Sequence, residues 1–132
     1  MLPFSLVYHD GYDLNLGRHV FPALKYRLVR WRLIEEGFAG EDDFLEPVPA
    51  ADVDLLLVHG AEWIRKLRTG TLTSLDIARL EIPCSPKTVE AFCLATGGTI
   101  LAGRLALQHG ICFNVGGGFQ HGFRDRGFLR HQ

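Results

Sequence analysis

The residues best able to do chemistry gather at Gly116-Gly117-Gly118-Phe119-Gln120-His121, directly after an apolar run over residues 111–115. A strand ending in a glycine turn can present a ligand site, because open α/β sheets bind outside the carboxyl ends of their strands. A histidine there titrates in the range useful to a general base. His121 is therefore the candidate base. A phosphate loop is the competing use of such glycines, and it fails. Gly116 and Gly118 fit the dinucleotide fingerprint, but His121 stands where the last glycine belongs. A Walker loop would need G-K-S/T where Phe119-Gln120 stands, and no helical pattern follows for a phosphate to cap.

The other histidines are His9, His19, His59, His109 and His131, with no H-E-x-x-H and no pairing with carboxylate or thiolate at zinc-ligand spacing. His109 reads as a surface residue compatible with the dipole of a helix end. His59, between two helical pieces, reads as a satisfied structural histidine. Cys84, Cys93 and Cys112 form no C-x-x-C pair and are odd in number, so they read as free, mostly buried thiols. No base is singled out for a catalytic cysteine.

These residues need elements to hold them. Residues 4–8 read as a first strand running into His9-Asp10-Gly11. Over residues 21–36, Phe21, Leu24, Leu28, Trp31 and Ile34 step by three or four, which predicts one apolar stripe on a helix. Pro22 and Gly37 punctuate its ends, while Lys25, Arg27, Arg30 and Arg32 lie mostly off the stripe and predict a solvated basic face, with a recognition helix as the minor alternative. Residues 41–49 read as an acidic connector with a short strand at 44–46. Short helical pieces are expected at 52–57, 62–67 and 71–80, the second stopped by Gly70. Ser85-Pro86 opens a long helix with Val89, Cys93, Thr96, Ile100 and Leu107 on one face. Ala95, Gly97, Gly98, Ala102 and Gly103 thin that helix, so another backbone can approach it closely. Gly110 closes it. Residues 111–115 then read as an interior strand, apolar enough for burial on both faces. Strand and helix alternate, which predicts an α/β layer fold with parallel strands.

Size and composition bound the remaining possibilities. The chain has 132 residues, within one domain or part of one, with 47% hydrophobic and 22% charged residues. That balance excludes intrinsic disorder. Fourteen basic against fifteen acidic residues leave a formal charge of −1, so no global field favours a nucleic-acid backbone. Continuous apolar stretches such as residues 55–58 are far shorter than a bilayer span. No secretory leader pattern opens the chain, and the cytoplasm is the expected compartment.

The run Asn114-Val115-Gly116-Gly117-Gly118-Phe119-Gln120-His121 resembles the glycine-rich, double-histidine loop of the histone deacetylase family. Tyr8-His9-Asp10, the His19-Val20-Phe21-Pro22 segment with Lys25, and Val58-His59-Gly60-Ala61-Glu62-Trp63-Ile64 resemble successive N-terminal segments of that family. Pro83, Ser85-Pro86 and Thr96-Gly97-Gly98-Thr99-Ile100-Leu101-Ala102 continue the likeness in order, to about Gly127. It is closest to a class IV-like bacterial branch. The resemblance implies an arginase/deacetylase fold, a three-layer α/β/α arrangement on a parallel sheet, with a metal at the strand C-termini. It also implies zinc-dependent hydrolysis of an acetyl-lysine or small acetylated amine amide, with zinc polarising the carbonyl and activating water. In the family the loop histidines handle protons and a later tyrosine holds the oxyanion.

The departures from the family pattern shape the expectation. Gln120 replaces the first loop histidine, and an amide donates a hydrogen bond but does not exchange a proton at neutral pH. Losing one acid–base group costs on the order of 10² to 10⁴ in rate. The family's Asp-x-His zinc ligands, later Asp and tyrosine find no counterpart, so the metal ligands assigned to this chain are none. The resemblance gives substrate-contacting positions to Gly118, Gly127 and Phe128, the last two at a shortened spacing after Asp125-Arg126. Residues 128–132 depart from the family's Gly-Phe-Cys and buried strand. A single added nucleotide would produce that ending, and deliberate truncation would look the same. The expectation is therefore a partial deacetylase-like domain over residues 1–132, with the family's deacetylation as its function. Its rival is an inactive remnant or association module without chemistry, self-associating through an exposed sheet edge.

Overall fold

The computed structural model describes residues 2–14, 23–117 and 122–127. Its centre is a parallel sheet in the order β2-β1-β3: β1 is Leu6–Val7, β2 is Phe44–Leu45 and β3 is Phe113–Asn114. Leu6 pairs with Phe44 and Phe113, and Val7 with Leu45 and Asn114. Among the described residues five α-helices accompany it: α1 (Leu24–Glu35), α2 (Asp52–Leu55), α3 (Ala61–Thr69), α4 (Ser74–Leu80) and α5 (Pro86–His109). The α/β class with parallel strands is as the alternating pattern predicts.

Alternation of side chains along a strand explains how two helices find opposite faces. Asn114, in register with Val7, donates its amide to Ala95 O of α5 at 3.1 Å. Phe44, in register with Leu6, instead lies under the Arg30 guanidinium of α1, 5.1 Å from its ring centre.

The long helix α5 is the spine of the fold. Ser85 accepts a hydrogen bond from Thr88 N at 3.2 Å, Pro86 occupies the first turn, and Gly110 at φ 94° ends the helix. Its middle, from Ala91 to Gly98, is buried at every residue. Ala50 N donates to Cys93 O at 2.9 Å, and a Cβ on Gly97 would stand 1.9 Å from Val48 O. Backbone crosses backbone there, as the small residues predict. Leu107 departs from the predicted face, being 91% exposed, because the last turns of α5 run past the layer they pack on. The helix is long and apolar enough to cross a membrane by length and composition, a property the short continuous runs did not reveal. More than half of its most apolar window is nonetheless buried inside the fold.

Two further predictions are corrected. Most of the stripe on α1 faces outward: Leu24, Leu28 and Trp31 are exposed, Ile34 is partly buried, and no residue of α1 is fully buried. Phe21 and Pro22 lie outside the described residues. The inward side instead carries Tyr26, Arg30 and Leu33, all partly buried. Tyr26 meets Tyr12 edge-on, with ring centres 6.2 Å apart. Arg30 lies over Tyr8 and Phe44 and pairs with Glu41, so it is not part of a solvated basic face. Long amphipathic side chains can cover apolar surface while satisfying their polar ends, which is how they displace a conventional stripe. At the helix end, Gly37 at φ 73° donates to Ile34 O and Phe38 N donates to Leu33 O, both bonds of a Schellman cap.

The second correction concerns β3. The fully buried strand is β1, with Leu6 and Val7 both enclosed. β3 lies at the end of the strand order among the described residues, and Ile111 and Phe113 are exposed. An apolar run this short reads the same whether its outer flank is covered or open.

Candidate functional site: the carboxyl edge of the sheet

Because all three strands run parallel, their carboxyl ends share one edge. Tyr8-His9-Asp10 follows β1, Glu46 follows β2, and Val115-Gly116-Gly117 follows β3. Asn114 ties this edge together. Its Oδ1 accepts from Tyr12 Oη at 2.8 Å and from Gly116 N at 3.3 Å, while its amide nitrogen reaches Ala95 O and Thr99 Oγ1. A Cβ on Gly116 would approach the Tyr12 ring to 2.3 Å. Glycine at 116 thus lets the turn lie flat against tyrosine. Burial pushes the Tyr12 hydroxyl well above its ordinary pKa, although the bond to Asn114 works the other way, so it acts as a fixed donor. Burial, with the bond to Asp10, likewise pushes Tyr8 up to about 12.

On the β2 side, Tyr8, Asp10, Arg30, Glu41, Phe44 and Glu46 line a hollow of about 140 Å³. Its cation among the described residues, Arg30, is already engaged with Glu41 and two rings. His9 serves the backbone: its Nδ1 accepts from Gly11 N at 2.8 Å, capping the short turn Asp10–Tyr12. His109 is exposed at the end of α5, as expected of a surface residue.

His59 is 2% exposed and its Nδ1 lies 2.6 Å from Phe123 O. The satisfied structural reading holds for it, with a partner that sequence spacing does not show. Gly60 N donates to Arg124 O at 2.7 Å and Trp63 Nε1 to Gly127 O at 3.0 Å. The segment just beyond the glycine loop is therefore docked on the start of α3.

Of the predicted site residues, Gly118, Gln120, His121 and Phe128 lie outside the described residues, as do His19 and His131. Gly127 is described: it has φ 81° and gives its carbonyl to Trp63. Sequence reasoning missed Asn114, Tyr12 and Trp63 as organisers of this edge. Trp63 and Asn114 fell inside family-like segments, but nothing in their spacing named their partners. The three cysteines are free, and burial raises each thiol pKa, which suits structural thiols.

Zinc is the metal a deacetylase reading would require. Among the described residues no three His, Cys, Asp or Glu side chains converge to hold an ion. The donors seen here do not fit zinc, and no chemical step is assigned to it.

No protein-family model matches the chain. It is 35% identical over 125 residues to an uncharacterized protein of Picosynechococcus sp., covering 94% of this chain and 42% of that protein. It is 31% identical over 133 residues to Histone deacetylase 2 of Arabidopsis thaliana, covering 93% of this chain and 34% of that protein. The chain thus spans well under half the length of these relatives.

Proposed function

We propose that residues 1–132 form part of a histone deacetylase-like domain of arginase/deacetylase type, the part that carries the glycine-rich loop. The observation that carries the reading is the likeness to Histone deacetylase 2 across 93% of this chain. The glycine turn at the shared carboxyl edge of a parallel sheet, flanked by Asn114 and the docked segment, supports it. The activity proposed for the complete protein is hydrolysis of acetyl-lysine or a small acetylated amine. His121 handles the proton, Gln120 only donates a hydrogen bond, and Gly118, Gly127 and Phe128 contact substrate.

A chimera tests this. Replacing the aligned third of the Arabidopsis relative with this chain puts Gln120 and His121 in a full-length setting. In the folded chimera, Gln120→His should raise acetyl-lysine turnover by about 10² or more. His121→Ala should abolish it. Equal, background turnover from all three folded chimeras would sink the reading. The 132-residue chain alone should show no measurable turnover and no stoichiometric zinc after tag removal. Chelator-sensitive turnover by it would mean that it assembles ligands of its own.

A second reading is a module that associates and performs no chemistry. The exposed apolar side of α1 and the outer flank of β3, unpaired among the described residues, favour it.

A further inference from the structure

The three hydrogen bonds between the start of α3 and residues 123–127 share one feature. His59 meets Phe123, Gly60 meets Arg124 and Trp63 meets Gly127, each pair 64 residues apart. A constant offset means that two stretches far apart in sequence lie alongside each other in step. Every donor belongs to the α3 side, and every acceptor is a backbone carbonyl of the segment. Since a carbonyl only accepts, His59 Nδ1 must carry the proton. The segment also folds on itself, with the Arg126 guanidinium 4.3 Å from the Phe123 ring centre.

We infer that His59 and Trp63 are positioning residues, with Gly60 between them. They form a clamp that reads the backbone of residues 123–127 and so fixes the chain that follows His121. At the other end, Asn114 fixes Gly116, so residues 116 and 123 are each anchored. The docking stands on this geometry; its consequence for His121 rests on the deacetylase reading. Because the clamp holds carbonyls, it makes no direct demand on the side chains of Arg124, Asp125 and Arg126, and all three are exposed. His59 and Trp63 do not have that freedom.

Limited trypsin digestion of the full chain tests the clamp, because Arg124 and Arg126 are cleavage sites inside the docked segment. Cleavage of a segment that opens locally follows its open population. Losing one docking hydrogen bond should speed cut formation roughly fivefold to tenfold. Trp63→Phe keeps the ring and removes the N–H, so it should show this while the global unfolding midpoint, read by circular dichroism, changes little. His59→Ala should show it too. His59→Asn, which keeps a donor near the Nδ1 position, should return the rate to within about twofold of the parent. In nitrogen–proton spectra, the Trp63 indole signal should move in His59→Ala although Trp63 itself is unchanged. Equal cleavage in all variants, acceleration only in step with global unfolding, or no rescue by Asn would each overturn the clamp. Turnover is not the readout, so failure of the clamp and failure of the deacetylase reading are separable.

Discussion

α1 and α5 both carry apolar residues at helical spacing, yet they meet opposite fates. α5 is enclosed on every side through its middle, whereas no residue of α1 is buried. The difference lies in residue size. Gly97 lets the backbone of Val48 and Ala50 close on α5, and Ala95 and Gly98 let the side chains of Tyr12 and Asn114 do so. Leu24, Leu28, Val29 and Trp31 offer α1 a broad apolar surface that no described element covers. α1 is held instead by its amphipathic side chains, Tyr26 on Tyr12 and Arg30 over Tyr8 and Phe44. Small residues in a helix announce a close neighbour more reliably than large apolar residues announce a core.

The largest expected effect breaks the α5 side of this contrast. Gly97→Val places a branched side chain where a Cβ already falls 1.9 Å from Val48 O, a backbone atom that cannot swing aside. We expect a loss of about 3 kcal/mol or more, or failure to fold. Gly103→Ala, six residues along the same helix with open space around it, should be neutral or stabilising by a few tenths of a kcal/mol. Urea unfolding of both compares them; equal midpoints would mean that α5 is not closely crossed.

A smaller effect tests how α1 is attached. Arg30→Ala removes a stem and guanidinium lying over two rings and should cost about 1 kcal/mol. Arg32→Ala removes an exposed arginine that pairs with Glu35 and Glu36 at its own helix end, and should cost about 0.5 kcal/mol or less. Denaturant titration of the pair separates them, and an Arg32 loss equal to that at Arg30 would restore the solvated-face reading.

The same junction should respond to alkali. Tyr8, Tyr12 and Tyr26 all titrate above the ordinary tyrosine value, because full burial of the first two and partial burial of the third disfavour the phenolate. A phenol whose folded pKa is raised stabilises the fold below its unfolded pKa and loses that contribution as pH rises. The tyrosine contribution should therefore be flat below about pH 10 and fall between about 10 and 12, on top of an earlier fall from the raised thiols that begins at about pH 9. Tyr8→Phe should flatten part of the fall, measured as unfolding midpoints at pH 9 and 11. An unchanged slope in that variant would remove Tyr8 from the account.

Much of this architecture was legible because local chemistry fixes it. Ser85-Pro86 and Gly110 bound α5, Gly70 at φ 68° stops α3, and the alternation of elements gave the parallel sheet. What the sequence hid is relational. His59 and Phe123 stand 64 residues apart with no periodicity linking them, and Tyr12 with Asn114 stands 102 apart. The inward face of α1 was hidden differently, since Tyr26 and Arg30 look polar until their rings and stems are seen against Tyr12, Tyr8 and Phe44. For the candidate site, sequence found the edge and its glycines. The side chains that anchor the edge emerged only from the fold.

The smallest expected effect on stability is the sharpest test of α1's outer side. Leu28 and Trp31 are 52% and 55% exposed, so replacing both with glutamate removes little buried surface. Surface changes of this kind usually stay within about 0.5 kcal/mol. Association should change far more. An exposed apolar side on a helix, in a chain of formal charge −1, meets little repulsion from a second copy. The parent chain should therefore self-associate at micromolar concentration by sedimentation, and Leu28→Glu with Trp31→Glu should shift it toward monomer at an unchanged unfolding midpoint. If the doubly substituted chain still associates, the outer flank of β3, unpaired among the described residues and with Ile111 and Phe113 exposed, becomes the better surface. If the parent is a monodisperse monomer, neither surface is sticky and the association reading falls. If instead the double substitution unfolds the chain, Leu28 and Trp31 are covered after all, and the contrast between α1 and α5 is wrong.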